Sequence, residues 1–159
     1  ITDDTTMKSI LSRAAYEVRF PIFNMTISND DCPVENELRW MIDFKKTDYI
    51  GKEIIENKIH NYRRRVVGFI IEDNSEDSEI IGIESGSNIF LDDKPIGSVK
   101  ILLKSPCLKK YIGYGSIDKE WAYVGIRDYY IVSSAGKKIY IYTFSTPFFT
   151  TRSILVQME

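Results

Sequence analysis

The side chains that most often do covalent or metal chemistry are scarce in this chain. It has one histidine, His60, and two cysteines, Cys32 and Cys107. A Ser-His-Asp or Cys-His nucleophile needs the histidine as its base, and most zinc sites need histidines or closely spaced cysteines. His60 lies in Lys58-Ile59-His60-Asn61-Tyr62, at the polar end of an expected helix, which suits an exposed or capping side chain beside the helix dipole. The cysteines form no CxxC pair. Two buried, reduced thiols are expected, with a single disulfide as the alternative.

Other groupings are equally sparing. Gly113-Tyr114-Gly115 is too short for a nucleotide fingerprint and sits in a strand pattern. Asp30-Asp31 and Asp92-Asp93 fall in turns, where aspartate is favoured for backbone reasons, and are not read as an acid/base couple. Arg63-Arg64-Arg65 could grip an anion such as phosphate, but such a run is more often the solvated opening of a strand. The 10 Tyr, 8 Phe and 2 Trp mostly follow a strand period, as in Tyr140-Ile141-Tyr142, so cross-strand packing is preferred to base stacking. A net charge of −2 disfavours a polyanion or an anionic membrane surface as the main partner.

These residues must be positioned by two kinds of element. Residues 5–19 carry Met7, Ile10, Leu11, Ala14, Ala15 and Val18 on one stripe at helical spacing. Thr5 or Thr6 is the expected cap and Pro21 the stop. A polar loop follows over 28–37, then a strand-like stretch at 38–44. Asp48 or Gly51 opens a short helix with Ile50, Ile54, Ile55 and Ile59 on one side. From Arg63 the pattern turns to β, with strands expected at 66–71, 88–91, 96–103, 111–117, 121–126, 129–132 and 137–144. An acidic loop lies at 72–79, and hairpin turns at 92–95 and 133–136. The reading is α+β and mostly β: a lead-in over 1–60, then a six- to seven-stranded barrel-like unit over 61–159.

Several segments, taken in order, resemble a known family. Glu37-Leu38-Arg39-Trp40-Met41-Ile42-Asp43-Phe44, followed by Asp48-Tyr49-Ile50-Gly51-Lys52-Glu53, is similar to the Gly-Trp strand and the Ile-Gly-Lys-Glu helix start of glycine-cleavage T-proteins (aminomethyltransferases). Cys32-Pro33-Val34-Glu35 stands where that family has its Pro-Leu-Glu-type loop. Phe20-Pro21-Ile22-Phe23 resembles the segment before it. Arg63-Arg64-Arg65-Val66-Val67-Gly68-Phe69 resembles the opening strand of the family's C-terminal barrel. Lys94-Pro95-Ile96-Gly97, Ser105-Pro106-Cys107-Leu108-Lys109-Lys110 and Thr146-Pro147-Phe148-Phe149 resemble later barrel segments.

The resemblance implies the tail of an α/β middle domain (1–60) and a complete C-terminal barrel domain (61–159). It implies a tetrahydrofolate cofactor, one-carbon transfer and a lipoyl-bearing H-protein partner. It also implies that the catalytic aspartate and most of the pterin pocket lie in an N-terminal half, so that no catalytic residue is expected here. The start at Ile1 rather than Met fits a fragment or trimmed chain. The implied cofactor-side residues are Phe23 and Trp40, packing near the pterin, and Arg152, contacting the folate tail. Plain core packing is the alternative for Trp40. The implied compartment is intracellular, a mitochondrial matrix or a bacterial cytoplasm.

Departures from the family pattern are specific. Two family arginines, four positions apart on the first helix, correspond to Leu11 and Ala15 in the register set by Glu17. Arg13 points to another face. Phe23 replaces a tyrosine, the Thr-Ser-Gly stretch becomes Lys100-Ile101-Leu102, and a barrel arginine becomes Ile83. Each lost charge-assisted contact would remove about 1.5–3 kcal/mol. A non-catalytic binding or scaffold module of this fold is therefore the alternative function.

Overall fold

The computed structural model describes residues 4–22, 27, 31–72 and 80–148. Helix α1 spans Asp4–Glu17 and helix α2 spans Lys52–Asn61. Six strands follow: β1 (Arg64–Ile71), β2 (Asn88–Leu91), β3 (Lys94–Lys104), β4 (Tyr111–Asp118), β5 (Tyr129–Val132) and β6 (Lys138–Phe144). They pair antiparallel in the order β1-β4-β3-β2-β5-β6, and β6 returns to β1 to close a barrel. Closure leaves no free sheet edge.

Alternation along the strands fills the barrel. Val67, Phe69 and Ile71 of β1 point inward with Ile89, Ile96, Ile117, Ile131, Ile139 and Ile141. β-branched residues suit this pleated wall. Two inward positions of β4 are glycine, for a steric reason. A Cβ at Gly113 would run into the Phe69 ring and the Ile101 carbonyl, and one at Gly115 would meet Ile89 Cδ1. The Gly-Tyr-Gly sequence is thus a packing device. Asp92 and Asp93 adopt φ of 47° and 62° and form the two-residue turn between β2 and β3, one of the few turns whose twist matches a hairpin.

The outer face of β1, β3 and β4 carries a second core. Ile112 and Tyr114 pack there with Tyr16 from α1 and Phe148 beyond β6. Val66, Ile70, Ile101 and Phe144 surround them. Turn 32–38 docks beside this core through Val34 and Leu38, both buried, and through Val66 N–H donating to the Glu35 carbonyl at 2.9 Å.

Five expectations are corrected. Thr5 and Thr6 lie inside α1 rather than capping it. The apolar stripe of α1 is not its buried face: Ile10, Leu11 and Val18 are exposed, whereas Tyr16 and Glu17 are buried. Residues 38–44 form no strand. Met41 N–H donates to the Leu38 carbonyl and Ile42 N–H to Arg39, so a 3-10 turn over Arg39–Met41 satisfies the backbone locally. Residues 121–126 form no strand either. Trp121 and Tyr123 N–H groups are taken up by turns, and Gly125 has φ of 87°. The cysteines are free, but Cys107 is exposed and Cys32 partly so. The expected loop at 72–79 lies almost wholly outside the described residues.

α2 begins at a Gly51 N-cap with φ of 84° and buries none of its residues. The isoleucines expected on one side are real as a face, but Ile50 and Ile54 are 103% and 68% exposed. Nothing among the described residues covers them.

Candidate functional site

The polar groups brought together by the fold lie along the seam between the lead-in and the barrel. α1 ends in a tight cap. Phe20 N–H donates to the Ala15 carbonyl at 2.7 Å and Arg19 N–H to the Tyr16 carbonyl at 3.2 Å, the paired bonds of a Schellman motif. Arg19 occupies the left-handed position with φ of 58°, where glycine is the usual residue. Its guanidinium turns toward the barrel, donating to Thr146 Oγ1 and, at 3.1 Å, to the Asn36 carbonyl. Burial pulls this guanidinium below its ordinary pKa. Tyr114 and Glu37 oppose the shift and Arg65 adds to it.

Beside it, Glu17 is buried, at 3% exposure. Its carboxylate accepts from Ser105 Oγ and from Cys107 N–H at 3.1 Å. A buried carboxylate is tolerated only with such donors. A hydrogen bond to Glu17 holds the Cys107 thiol above its ordinary pKa. Tyr114 donates its hydroxyl to the Tyr16 carbonyl at 2.6 Å, and burial raises its pKa.

Two clefts open on this seam. One, of about 30 Å³, is lined by Arg19, Leu38, Lys100 and Tyr114, room for no more than water. Lys100 fills its polar side: Nζ donates to both Asp31 carboxylate oxygens at 2.8 Å and to Asn36 Oδ1 at 2.9 Å. The other, of about 200 Å³, is lined by Arg19, Glu37, Arg65, Ser145 and Thr146. Arg65 forks onto Glu37 at 2.6 and 3.3 Å. Of the basic run, Arg64 pairs with Asp118 at 3.0 Å on the exposed barrel wall.

Of the residues expected on the cofactor side, Trp40 lies on the 3-10 turn and is 72% exposed among the described residues. Phe23 and Arg152 lie outside the described residues. His60 is exposed in the last turn of α2. Among the described residues no cluster of His, Cys, Asp or Glu could hold a metal ion, and no helix is long and apolar enough to cross a membrane. Sequence reasoning passed over Arg19. Its signal was a charged residue at the place where a helix stops before Pro21 and glycine would be ordinary.

A closed six-stranded antiparallel barrel, preceded by a helical lead-in docked on its outer wall, defines the class of protein. Residues 64–150 match the model of the glycine cleavage T-protein C-terminal barrel domain. The chain belongs to that family. It is 35% identical over 112 residues to an aminomethyltransferase of Alkaliphilus oremlandii, covering 69% of this chain and 28% of that protein. It is 27% identical over 136 residues to one of Halalkalibacterium halodurans, covering 84% and 35%. The fold is that of the glycine cleavage system aminomethyltransferase T of Bartonella henselae, with a TM-score of 0.74 at 20% identity, over 86% of this chain and 37% of that one. The chain thus spans about a third of the length of the relatives it matches.

Proposed function

We propose that this chain forms the C-terminal part of a tetrahydrofolate-dependent aminomethyltransferase, or of a close relative that passes a one-carbon unit to tetrahydrofolate. The barrel match over 64–150 carries the reading. On this reading residues 1–60 are the tail of the family's middle domain and 61–159 its barrel domain. The partners are the remaining part of an aminomethyltransferase and a lipoyl-bearing H-protein. The setting is intracellular: a bacterial cytoplasm, in keeping with the bacterial relatives, or a mitochondrial matrix.

Large apolar side chains left exposed among the described residues support a longer assembly. Ile10 and Leu11 on α1, Trp40 and Met41 on the 3-10 turn, and Ile50 and Ile54 before and on α2 are all largely exposed. Large apolar side chains gathered in a patch mark surfaces that something covers. Tetrahydrofolate, when bound, supplies the acceptor nitrogens for the one-carbon unit. The residues here fit it only in part. Trp40 offers an indole face that could stack on a planar ring. Leu11 and Ala15 offer no charge where the family places arginines. The remaining donors must come from the complementary part of the protein.

The test is a tetrahydrofolate titration of the longest native chain carrying these residues, followed by Trp40 and Trp121 fluorescence, with residues 1–159 alone as comparison. Saturable binding to the longer chain, weakened by Trp40→Ala, supports the reading. Absence of binding at millimolar folate overturns it. That result would favour the second reading, a folate-independent binding or scaffold module, which Leu11, Ala15 and the self-paired Lys100 already suggest.

A further inference from the structure

Arg19 is the least economical residue in the seam. A non-glycine residue in the left-handed region costs on the order of 1 kcal/mol, and glycine at that place would relieve the strain. The helix cap itself needs only backbone groups, so it does not call for an arginine. The guanidinium does not turn back to the α1 carbonyls. It bonds two neutral acceptors, Thr146 Oγ1 and the Asn36 carbonyl. A guanidinium has five N–H donors. Those left over have no protein acceptor and no carboxylate in ion-pair range among the described residues.

Arg19 lines the 200 Å³ cleft, which is polar and open to solvent. Arg65 lines the same cleft and is close enough to lower the Arg19 pKa further. Two like charges facing one space repel unless an anion sits between them. Among the described residues the one carboxylate lining the cleft, Glu37, is held by Arg65 in a two-bond fork. Glu37 also has φ of 58°, so two non-glycine residues hold the left-handed conformation at this cleft. Thr146 and Ser145 add hydroxyls at its rim.

We propose that the cleft between the end of α1 and strand β1 binds a small oxyanion, a carboxylate or phosphate group of a ligand, through the Arg19 guanidinium with Arg65 as the second cation. A planar fork of donors suits both groups bidentately. Glu37 is the intramolecular stand-in: its carboxylate occupies Arg65 until the ligand competes for it. The site is independent of tetrahydrofolate chemistry, since it uses neither the family's arginine places nor Trp40.

Inorganic phosphate and glutarate are the probes, each titrated into the full chain at constant ionic strength set with chloride. The readout is the unfolding midpoint, which rises with ligand that binds only the folded state. A saturable rise with either anion is expected, and the anion that gives it names the chemistry. Arg19→Gly should keep or raise the midpoint without ligand, because it removes the strain, yet lose the anion-dependent rise. Arg19→Lys retains the charge without the fork and should bind roughly tenfold more weakly. It also decides the matter if the glycine variant does not fold. No saturable rise with either anion, or an undiminished rise in both variants, overturns the proposal.

Discussion

The Glu17 carboxylate, in the last turn of α1, accepts a hydrogen bond from the hydroxyl of Ser105, which follows β3 and lies 88 positions later. Both groups are buried, so the bond ties the lead-in to the barrel where water cannot compete. Glu17→Ala should cost about 2–4 kcal/mol, since it removes the acceptor of the Ser105 O–H and of the Cys107 N–H. Urea unfolding would show it as a lower midpoint. A loss under about 0.5 kcal/mol would mean that the two units are held by their other contacts and not by this bond.

Gly113 is the direct cross-strand partner of Phe69, whose ring lies over it. Gly113→Ala overfills that space and should destabilise by about 1–3 kcal/mol. The pair should be coupled: trimming the ring with Phe69→Leu leaves room, so the double variant should lose less than the two single losses combined. Strict additivity would place the strain at the Ile101 carbonyl instead of the ring.

Acid sensitivity should appear at the β2–β3 turn. Asp93 accepts from Lys138 Nζ at 2.8 Å and from the Tyr130 hydroxyl at 2.5 Å, and the Lys138 hydrogen bond holds its carboxyl below the ordinary value of 3.8. A depressed folded-state pKa contributes stability above the ordinary value, and that contribution is lost as pH falls through the folded one. Lys138 is shifted the opposite way, chiefly by the same hydrogen bond, so its share is present below its ordinary 10.5 and lost only at higher pH. Asp93→Asn should therefore lower stability at neutral pH, converge with the parent chain as pH falls below 3.8, and so flatten the acid limb. An unchanged acid limb would show the cluster to be too solvated to matter.

Trp40 stands out in water and should report its surroundings. In residues 1–159 alone its emission should be red-shifted and quenched by acrylamide, and Trp40→Ala should change stability by less than about 0.5 kcal/mol. Trp121, half-buried with Lys94 Nζ 5.5 Å from its ring centroid, should be better protected. In a longer native chain the same face should become shielded. Continued full quenching there would remove the apolar face as an argument for a covering segment.

What the sequence settled by itself was local. Strands β2 and β5 fall where alternation places them, because side chains on a barrel wall must point in and out by turns. The Asp92-Asp93 turn was legible because few residue pairs accept two left-handed conformations in succession. The ordered resemblance also pointed to the family, since those segments are turns and strand openings whose residue types are constrained locally. Tertiary structure decided the rest. Residues 38–44 and 121–126 look like strands, yet pattern cannot say how far a neighbour runs beside them: a tight turn satisfies the backbone at 39–42, and 121–123 turns before Gly125 and Ile126 bond to Thr143 of β6. The apolar stripe of α1 was visible, but the buried side is Tyr16 and Glu17, because the outer wall of β1, β3 and β4 offers a seat for a phenol and donors for a carboxylate. Arg19 reads in sequence as one more surface charge. Only the meeting of α1, turn 32–38 and the chain after β6 turns its guanidinium into a cleft, since those three segments are distant along the chain and nothing local in any of them encodes the others.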